Sequence, residues 1–401
     1  MERCIMSAKD DRRSGGSKPP RPGLYRLRLP GPTTVPARVR AALAEPMISH
    51  RGPEFREMLD ETVRQLQPIF GTKNAPLLFG CSGTGMMEAA LVNVLAPGEG
   101  ALVISNGQWG ERFAAIGTAI GARVETIDVP WGEDVAPDAV EARLKSGDYR
   151  ALVYVHNESS TGIVGNLAAI GPLVRDRNTL LITDTVSGLA GMEMQQDQWG
   201  VDVAVAASQK CLMCPPGIGI ASISEKAWPI IRRAGGAARF YLDFRRAAAD
   251  AWAKGETAFT PPVSLIRGLH VSLQMIHEEG LSNVLARHAR LANALRKGVN
   301  ALGLATFASA KHLSNTLSVF RVSEGLDGKK IVRRLADKHG TIIAGARNKL
   351  DGKVIRIGTM GSIGDEDVLT DLHHIEDVLT ELGSPIERGS GVAAASAALI
   401  D

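Results

Sequence analysis

An alternation of short apolar segments with helical patterns runs from about residue 24 to residue 225, and it limits the folds open to this 401-residue chain. The apolar segments are residues 77–79, 101–105, 123–127, 151–155, 179–184, 201–208 and 219–222. Segments of strand length that alternate with helices are typical of a mostly parallel sheet with helices on its faces. We therefore predict an α/β domain built on seven strands.

Two of these segments are followed by side chains of opposite charge. One run ends at Asp184, and the run at 201–208 is followed by Gln209 and Lys210. The carboxyl ends of parallel strands form the ligand-binding edge of α/β sheets. An amine there can form a Schiff base with an aldehyde cofactor, and pyridoxal phosphate also needs an acidic partner for its pyridine nitrogen. Lys210 and Asp184 are thus the candidate catalytic residues, although a strand-end lysine by itself is more often a solvated cap.

A glycine-rich loop, GCSGTG at residues 80–85, lies between the strand at 77–79 and a helical segment. Free N–H groups and the helix dipole at such a helix N-terminus bind phosphate, and Ser82 and Thr84 add hydroxyl donors. The loop lacks the lysine of a Walker A motif and the spacing of a dinucleotide fingerprint. It therefore suits a single phosphate ester, the alternative being a glycine turn that binds no ligand.

Two further strand ends carry side chains that fit the same cofactor. Trp109 follows the strand at 101–105, and its indole suits stacking on a flat aromatic ring, although capping the core is an equal alternative. Ser159 follows the strand at 151–155 and is placed to bond a ring hydroxyl. Five strand ends thus carry the side chains that pyridoxal phosphate requires, with Asp184 keeping the pyridine nitrogen protonated.

The chain divides into four parts. Residues 1–23 are rich in Ser, Gly, Pro and charge, so we expect a disordered tail. A large cofactor-binding domain is predicted over residues 24–279, ending with a helix at 262–279. A small α+β domain over 280–384 follows, with helices at 281–302, 328–339 and 365–382 and strands at 316–322 and 354–358. Residues 385–401 are small and poor in aromatics, and we expect a flexible tail.

Composition excludes several classes of protein. The net charge of +3 is too small to indicate a nucleic-acid or membrane partner, and no apolar run reaches the length of a membrane-spanning helix. We expect a soluble, cytoplasmic protein. Cys211 and Cys214 have the spacing of a metal knuckle, but no second pair of ligands accompanies them, so we predict no metal site.

Motifs along most of the chain show a family resemblance. They are residues 30–33 (PGPT), 50–55 (HRGPEF), 82–85 (SGTG) with 88–95 (EAALVNVL), 106–110 (NGQWG), 158–162 (ESSTG), 208–210 (SQK) with 215–217 (PPG), 240–243 (FYLD) and 353–358 (KVIRIG). In this order they resemble the class V pyridoxal-phosphate aminotransferases, most closely the alanine (serine)–glyoxylate aminotransferase group. The resemblance covers about residues 27–383 and implies a fold type I homodimer with its active site at the subunit interface.

The resemblance also implies residue roles. Lys210 matches the Schiff-base lysine, Asp184 the partner of the pyridine nitrogen, Trp109 the stacking residue and Ser159 the ligand of the ring hydroxyl. The remaining cofactor residues are Ser82, Gly83, Thr84, Val186 and Gln209, together with Thr257 and Thr260, which match a segment that reaches the phosphate of the other subunit. Arg356, Gly31 and Ser159 match the substrate site, with Arg356 on the α-carboxylate. A guanidinium suits that role because its planar fork binds a carboxylate through two hydrogen bonds.

The chain departs from the family pattern at two places. Residues 344–348 read AGARN where two glycines are expected, and Thr257 stands where the animal enzymes have a tyrosine. A hydroxyl remains at position 257, so we expect the phosphate site to persist. Arg347 is either a reader of a distal acid on the substrate or a solvated loop residue, and His50 is either a substrate contact or structural.

The predicted function is transfer of the amino group of alanine, serine or aspartate to glyoxylate or pyruvate by ping-pong chemistry through Lys210. The alternatives are a 2-aminoethylphosphonate–pyruvate aminotransferase and a cysteine desulfurase-like lyase. The second alternative needs a cysteine in the C-terminal third, and no cysteine follows Cys214. A non-enzymatic binding protein on the same fold would not need Lys210, Asp184 and Arg356 together.

Overall fold

A seven-stranded sheet forms the centre of the large domain in the computed structural model, which describes residues 25–233, 236–309, 311–346 and 348–400. The strands of the chain are β1 (Arg26–Leu27), β2 (Leu77–Phe79), β3 (Gly100–Ser105), β4 (Arg123–Asp128), β5 (Ala151–Val153), β6 (Asn157–Glu158), β7 (Ile163–Val164), β8 (Leu180–Asp184), β9 (Val203–Ala207), β10 (Gly219–Ile223), β11 (Leu317–Arg321), β12 (Thr341–Ile342), β13 (Ala344–Gly345) and β14 (Val354–Gly358).

The helices alternate with these strands through the large domain and then cluster in the C-terminal part. They are α1 (Ala37–Leu43), α2 (Pro53–Phe70), α3 (Gly83–Val94), α4 (Gln108–Ala119), α5 (Pro137–Ser146), α6 (Leu167–Ile170), α7 (Gln196–Trp199), α8 (Trp228–Arg232), α9 (Phe244–Lys254), α10 (Val263–Glu279), α11 (Leu281–Ala301), α12 (Gly328–His339), α13 (Asp365–Glu381) and α14 (Ser390–Ile400).

The central sheet has the strand order β2-β10-β9-β8-β5-β3-β4. Its strands are parallel except for β10, which is antiparallel to both β2 and β9. All seven strands were predicted from the apolar runs, and the mostly parallel α/β class is confirmed. Continuous apolar strands are expected in such a sheet because helices cover both of its faces.

Alternate residues of each strand face two different helical layers. In β9, Val203 and Val205 pack with residues of α3, α8 and α9, whereas Ala204 and Ala206 pack with residues of α2 and α10. This three-layer packing holds the carboxyl ends of β3, β5, β8 and β9 along one edge, and the loops that follow them form the candidate site.

The small domain packs α11, α12, α13 and α14 around a three-stranded sheet of order β11-β14-β13. Both pairings in this sheet are antiparallel. The helices at 328–339 and 365–381 and the strand at 354–358 lie where the sequence predicts them. The sequence therefore anticipated the main elements of this layer.

Two segments differ from the predicted division of the chain. The N-terminal strand β1 pairs in parallel with β12 of the small domain, and Arg28 forms ion pairs with Asp367 and Asp371 on α13. The start of the predicted large domain therefore packs with the small domain. These pairings join residues more than 300 positions apart, which local sequence patterns do not reveal.

The second difference is the C-terminal segment, for which the sequence predicts flexibility but which forms helix α14 over most of its length. The buried Glu376 on α13 accepts hydrogen bonds from the N–H groups of Gly389 (3.0 Å), Gly391 (2.9 Å) and Val392 (3.2 Å). Small residues let α14 approach α11 closely, because a Cβ at Gly298 would lie 2.8 Å from the Gly391 carbonyl oxygen. A distant capping carboxylate and close packing thus order a segment of low complexity.

The predicted tail at residues 1–23 lies outside the described residues. Across the part of the chain that is described, no helix has both the length and the apolar content needed to cross a membrane.

Candidate active site

A cavity at the carboxyl ends of the parallel strands brings together most of the predicted cofactor residues. Its lining comprises Ser82, Gly83, Thr84, Met87, Trp109, Ser159, Asp184, Val186, Ser187, Gln209 and Lys210. Met87 and Ser187 were not predicted; both lie within a few residues of predicted positions, on α3 and after β8. The strand-end reasoning therefore locates this cavity from five separate segments of the chain.

Asp184 and Lys210 lie at the ends of adjacent strands, β8 and β9. Asp184 is buried and its Oδ1 accepts a 2.6 Å hydrogen bond from the Val186 N–H. Burial raises the pKa of Asp184 to about 6, and the nearby Lys210 and Arg112 lower it in part. Burial lowers the pKa of Lys210 to about 8, an effect that Asp184 opposes. A cationic partner for Asp184, such as a pyridinium nitrogen, would bring its pKa down again.

The Lys210 side chain is held by the segment that follows β1. Its Nζ donates a hydrogen bond to the Pro30 carbonyl oxygen, and its own carbonyl oxygen accepts one of 3.0 Å from Thr33 Oγ1. Gly31 has φ +104°, and a Cβ there would lie 2.6 Å from Lys210 Nζ. Any larger residue at position 31 would therefore displace the amine, which explains why glycine is needed beside it.

One end of the cavity is formed by the N-terminus of α3. Ser82 is the N-cap of this helix, and its Oγ accepts a 3.1 Å hydrogen bond from the Gly85 N–H. Gln209 Oε1 is buried and has no hydrogen-bond partner among the described residues. Because an amide can rotate to exchange its oxygen and nitrogen, Gln209 can present a donor to an anion. These groups fit a phosphate ester at a helix N-terminus.

Trp109 and Ser159 are joined to each other across the cavity edge. The indole Nε1 donates a 2.7 Å hydrogen bond to Ser159 Oγ. The Arg112 guanidinium lies 4.2 Å from the Trp109 ring centroid and donates a 2.9 Å hydrogen bond to Thr84 Oγ1. Arg112 was not predicted, and the signal that would have found it is its position three residues after Trp109 on the same helix.

Arg356 approaches the cavity from the small domain. It lies on β14, where its Nε donates to the Gly345 carbonyl oxygen (2.9 Å) and its Nη1 to the Ser159 carbonyl oxygen (3.2 Å). The second bond ties the arginine to a residue that lines the cavity. Arg347, the other arginine considered for the substrate, lies outside the described residues.

Three predicted or considered residues lie away from the cavity. Thr257 and Thr260 line a separate hollow together with Gly80, Tyr241 and Phe259, and Thr257 Oγ1 donates to the Phe259 carbonyl oxygen (2.7 Å). His50 lines neither this hollow nor the cavity. The structure thus brings the strand-end residues together in one chain but leaves the two threonines apart from them.

The remaining chemistry-bearing side chains are packed in the protein. Burial raises the pKa of both Cys211 and Cys214 to about 12 and lowers that of His156 to about 4. His156 Nδ1 lies 2.8 Å from Thr185 Oγ1. Within the described ranges, no group of three or more His, Cys, Asp or Glu side chains is arranged to hold a metal ion.

Comparison with known proteins gives consistent matches over nearly the whole chain. The family model Aminotransferase class-V matches residues 37–352. An uncharacterized aminotransferase of Methanocaldococcus jannaschii is 39% identical over 375 residues, covering 93% of this chain and 97% of that protein. An L-aspartate–glyoxylate aminotransferase of Paracoccus denitrificans is 37% identical over 374 residues, covering 92% and 94%.

The solved structures agree. The ureidoglycine–glyoxylate aminotransferase of Bacillus subtilis superposes with a TM-score of 0.89 at 29% identity, covering 94% of this chain and 98% of that one. The two proteins therefore share one fold over nearly the whole length of this chain. With a family match over most of its length and this fold, the chain belongs to the class V aminotransferases and is a pyridoxal-phosphate-dependent transaminase.

Proposed function

We propose that this enzyme moves the amino group of a small amino acid, namely alanine, serine or aspartate, to glyoxylate or pyruvate. The observation that carries the proposal is the 3.2 Å bond from Arg356 to Ser159, since Ser159 lines the same cavity as Lys210. A guanidinium near a catalytic amine suits substrates that carry an α-carboxylate beside an amino or keto group. The names of the Paracoccus and Bacillus relatives share glyoxylate as a substrate, which supports the acceptor.

We assign the two ends of the cofactor to the two ends of the cavity. Ser82, Gly83, Thr84 and Gln209 hold the phosphate, and Asp184 pairs with the pyridine nitrogen. Trp109, Val186 and Ser159 contact the ring. When bound, the cofactor supplies a protonated ring that withdraws electrons from the substrate Cα.

Lys210 is the proposed base. Its lowered pKa, about 8, leaves about a tenth of the amine uncharged at pH 7, and proton abstraction requires this uncharged form. Lys210 Nζ would take the Cα proton of the amino donor and pass it to the bound cofactor, and in the second half-reaction it would move a proton from the cofactor back to the Cα of the acceptor. Arg356 holds the carboxylate of both substrates throughout, so one site serves donor and acceptor in turn.

We further propose a homodimer in which each cavity is completed by the partner's copies of Thr257 and Thr260. Within one chain these threonines line the hollow behind the glycine-rich loop and do not line the cavity. Phe240 and Tyr241 beside them are 64% and 43% exposed, and both rings contact Phe259. An exposed aromatic cluster of this kind is typical of a surface that another chain covers.

A donor screen tests the substrate assignment. Purified enzyme would be mixed with alanine, serine, aspartate or 2-aminoethylphosphonate, and the loss of visible absorbance from the lysine-bound cofactor would be followed. Glyoxylate or pyruvate would then be added and recovery of the absorbance measured. We expect at least one of the three amino acids to bleach the enzyme and glyoxylate to restore it. Bleaching by 2-aminoethylphosphonate alone would contradict the proposal and favour the alternative aminotransferase.

A further inference from the structure

The helix that carries Trp109 is capped from a different part of the chain. Helix α4 begins after Gly107, which has no side chain to accept hydrogen bonds from the first N–H groups of the helix. Glu158 Oε2 accepts them instead, from the N–H of Trp109 (2.9 Å) and of Gly110 (3.3 Å). Ser160 Oγ accepts a further bond of 2.9 Å from the Gln108 N–H. The start of α4 is thus held by residues 158–160.

The backbone leaves room for this carboxylate at one position. A Cβ at Gly107 would overlap the Glu158 side chain and would lie 2.6 Å from Ser160 Oγ. Gly107 is in an extended conformation that any residue adopts, so close approach explains the glycine and backbone strain does not. The absence of a side chain at Gly107 therefore provides the space that the Glu158 side chain occupies.

Glu158 is an unusual residue to bury for stability alone. It is fully buried, and its Oε1 accepts bonds from the Ser160 N–H (3.0 Å) and Oγ (2.5 Å). Each of these hydrogen-bond donors is neutral, and burial raises the pKa of Glu158 to about 7. Glu158 has no ion-pair partner among the described residues, and desolvation of such a carboxylate is costly, although the helix N-terminus offsets part of the cost. The burial of Glu158 is better explained by the residues that its hydrogen bonds hold in position.

The same short segment contacts three groups of the proposed site. Glu158 fixes the backbone of Trp109, and the next residue, Ser159, accepts the indole hydrogen bond on its Oγ. The Ser159 carbonyl oxygen accepts the bond from Arg356. We propose that Glu158 is a positioning residue that holds the Trp109 indole and the Ser159 hydroxyl in place for the cofactor ring. The inference rests on the proposed roles of Trp109 and Ser159.

The substitution Glu158→Gln tests the proposal because it keeps the shape of the side chain. The amide has one acceptor oxygen in place of two, and its NH₂ group would face N–H or O–H groups that are themselves donors. Cofactor-depleted protein would be titrated with pyridoxal phosphate, and visible circular dichroism of the bound cofactor would be recorded. We expect the Kd to rise about 10- to 100-fold. The visible circular dichroism band should also weaken at saturation, because the ring loses its fixed neighbours. Glu141→Gln is the matched control: Glu141 is a partly exposed carboxylate paired with Lys145, and the control should match wild type.

A Kd within twofold of wild type with an unchanged circular dichroism band would overturn the proposal, even if the melting temperature fell. A double-mutant cycle identifies the route of the effect. In a Trp109→Ala/Ser159→Ala background, which removes both groups that Glu158 is proposed to hold, Glu158→Gln should change the Kd less than about threefold, because contacting residues that act together are not additive. An undiminished effect in that background would also overturn the proposal.

If Glu158→Gln fails to fold, Ser160→Ala provides the second test. It removes one donor to Glu158 and the acceptor for the Gln108 N–H while leaving the bonds to Trp109 and Gly110. The Kd should then rise about two- to fivefold, and no change would count against the proposal. Both tests measure cofactor binding without an amino donor, so they are independent of the substrate assignment.

Discussion

The cavity around Lys210 and the hollow around Thr257 differ in how they are built. The cavity collects side chains from five segments that meet at one edge of the sheet, and its lining includes an amine, a carboxylate and a helix N-terminus. The hollow is lined mostly by apolar side chains, together with Tyr241, Thr257, Thr260 and Gly80 of the glycine-rich loop. This contrast underlies the proposal that one chain supplies the reactive groups of each site and that a second chain supplies the last phosphate contacts.

Lys210→Ala is the strongest test of the roles proposed for the cavity. We expect the visible absorbance of the lysine-bound cofactor to disappear and turnover to fall by at least about 10³-fold, since both the covalent link and the base are removed. Cofactor should still bind through the phosphate end. Stopped assays with the preferred donor would measure the loss, and a variant with near-wild-type turnover would remove Lys210 from the mechanism.

Asp184→Ala should have the next largest effect. Loss of an opposite charge at close range lowers the pKa of the paired pyridine nitrogen by about 1–3 units, so turnover should fall roughly 10- to 1000-fold. Asp184→Asn, which keeps the shape without the charge, should resemble the alanine variant. Normal rates in both variants would show that the ring is activated by another group.

Arg356→Ala should act on the substrate end. Removing a bidentate, charge-assisted pair is expected to raise the KM for every α-amino acid and keto acid by roughly 10- to 150-fold. Arg356→Lys keeps the charge without the fork and should fall between wild type and the alanine variant. Amines that lack a carboxylate should react at unchanged rates, and an equal loss for such amines would indicate a structural role.

The sequence predicts the cavity well because its residues follow local apolar runs. A run long enough to form a buried parallel strand ends at the ligand-binding edge, so Asp184, Lys210, Trp109 and Ser159 could be located without any tertiary information. Arg356 and the two threonines were suggested by the family resemblance instead. They come from segments whose relation to the sheet depends on how the small domain, or another chain, packs against it.

What the sequence did not predict depends on contacts between distant segments. The pairing of β1 with β12 and the capping of α14 by Glu376 have no local signature. The capping of α4 by Glu158 is of the same kind, since the carboxylate and the Trp109 N–H are 49 positions apart in sequence. In the sequence analysis Glu158 was part of the ESSTG motif, and no role was predicted for it.

The measurement that tests the central claim most directly is complementation between inactive variants. Lys210→Ala protein would be mixed, under conditions that exchange subunits, with Thr257→Asp/Thr260→Asp protein, in which added carboxylates repel the phosphate. Lys210→Ala mixed with Asp184→Ala would serve as the control.

If each site is shared, a heterodimer of the first pair contains one complete site, because the intact lysine and the intact threonines come from different chains. Half of the dimers in an equal mixture are heterodimers with one of two sites restored, so activity should return to roughly a quarter of wild type. The control pair damages the same cavity in both chains and should show no more than the residual activity of Asp184→Ala. Activity that fails to return in the first mixture, after subunit exchange has been demonstrated, would contradict the shared site.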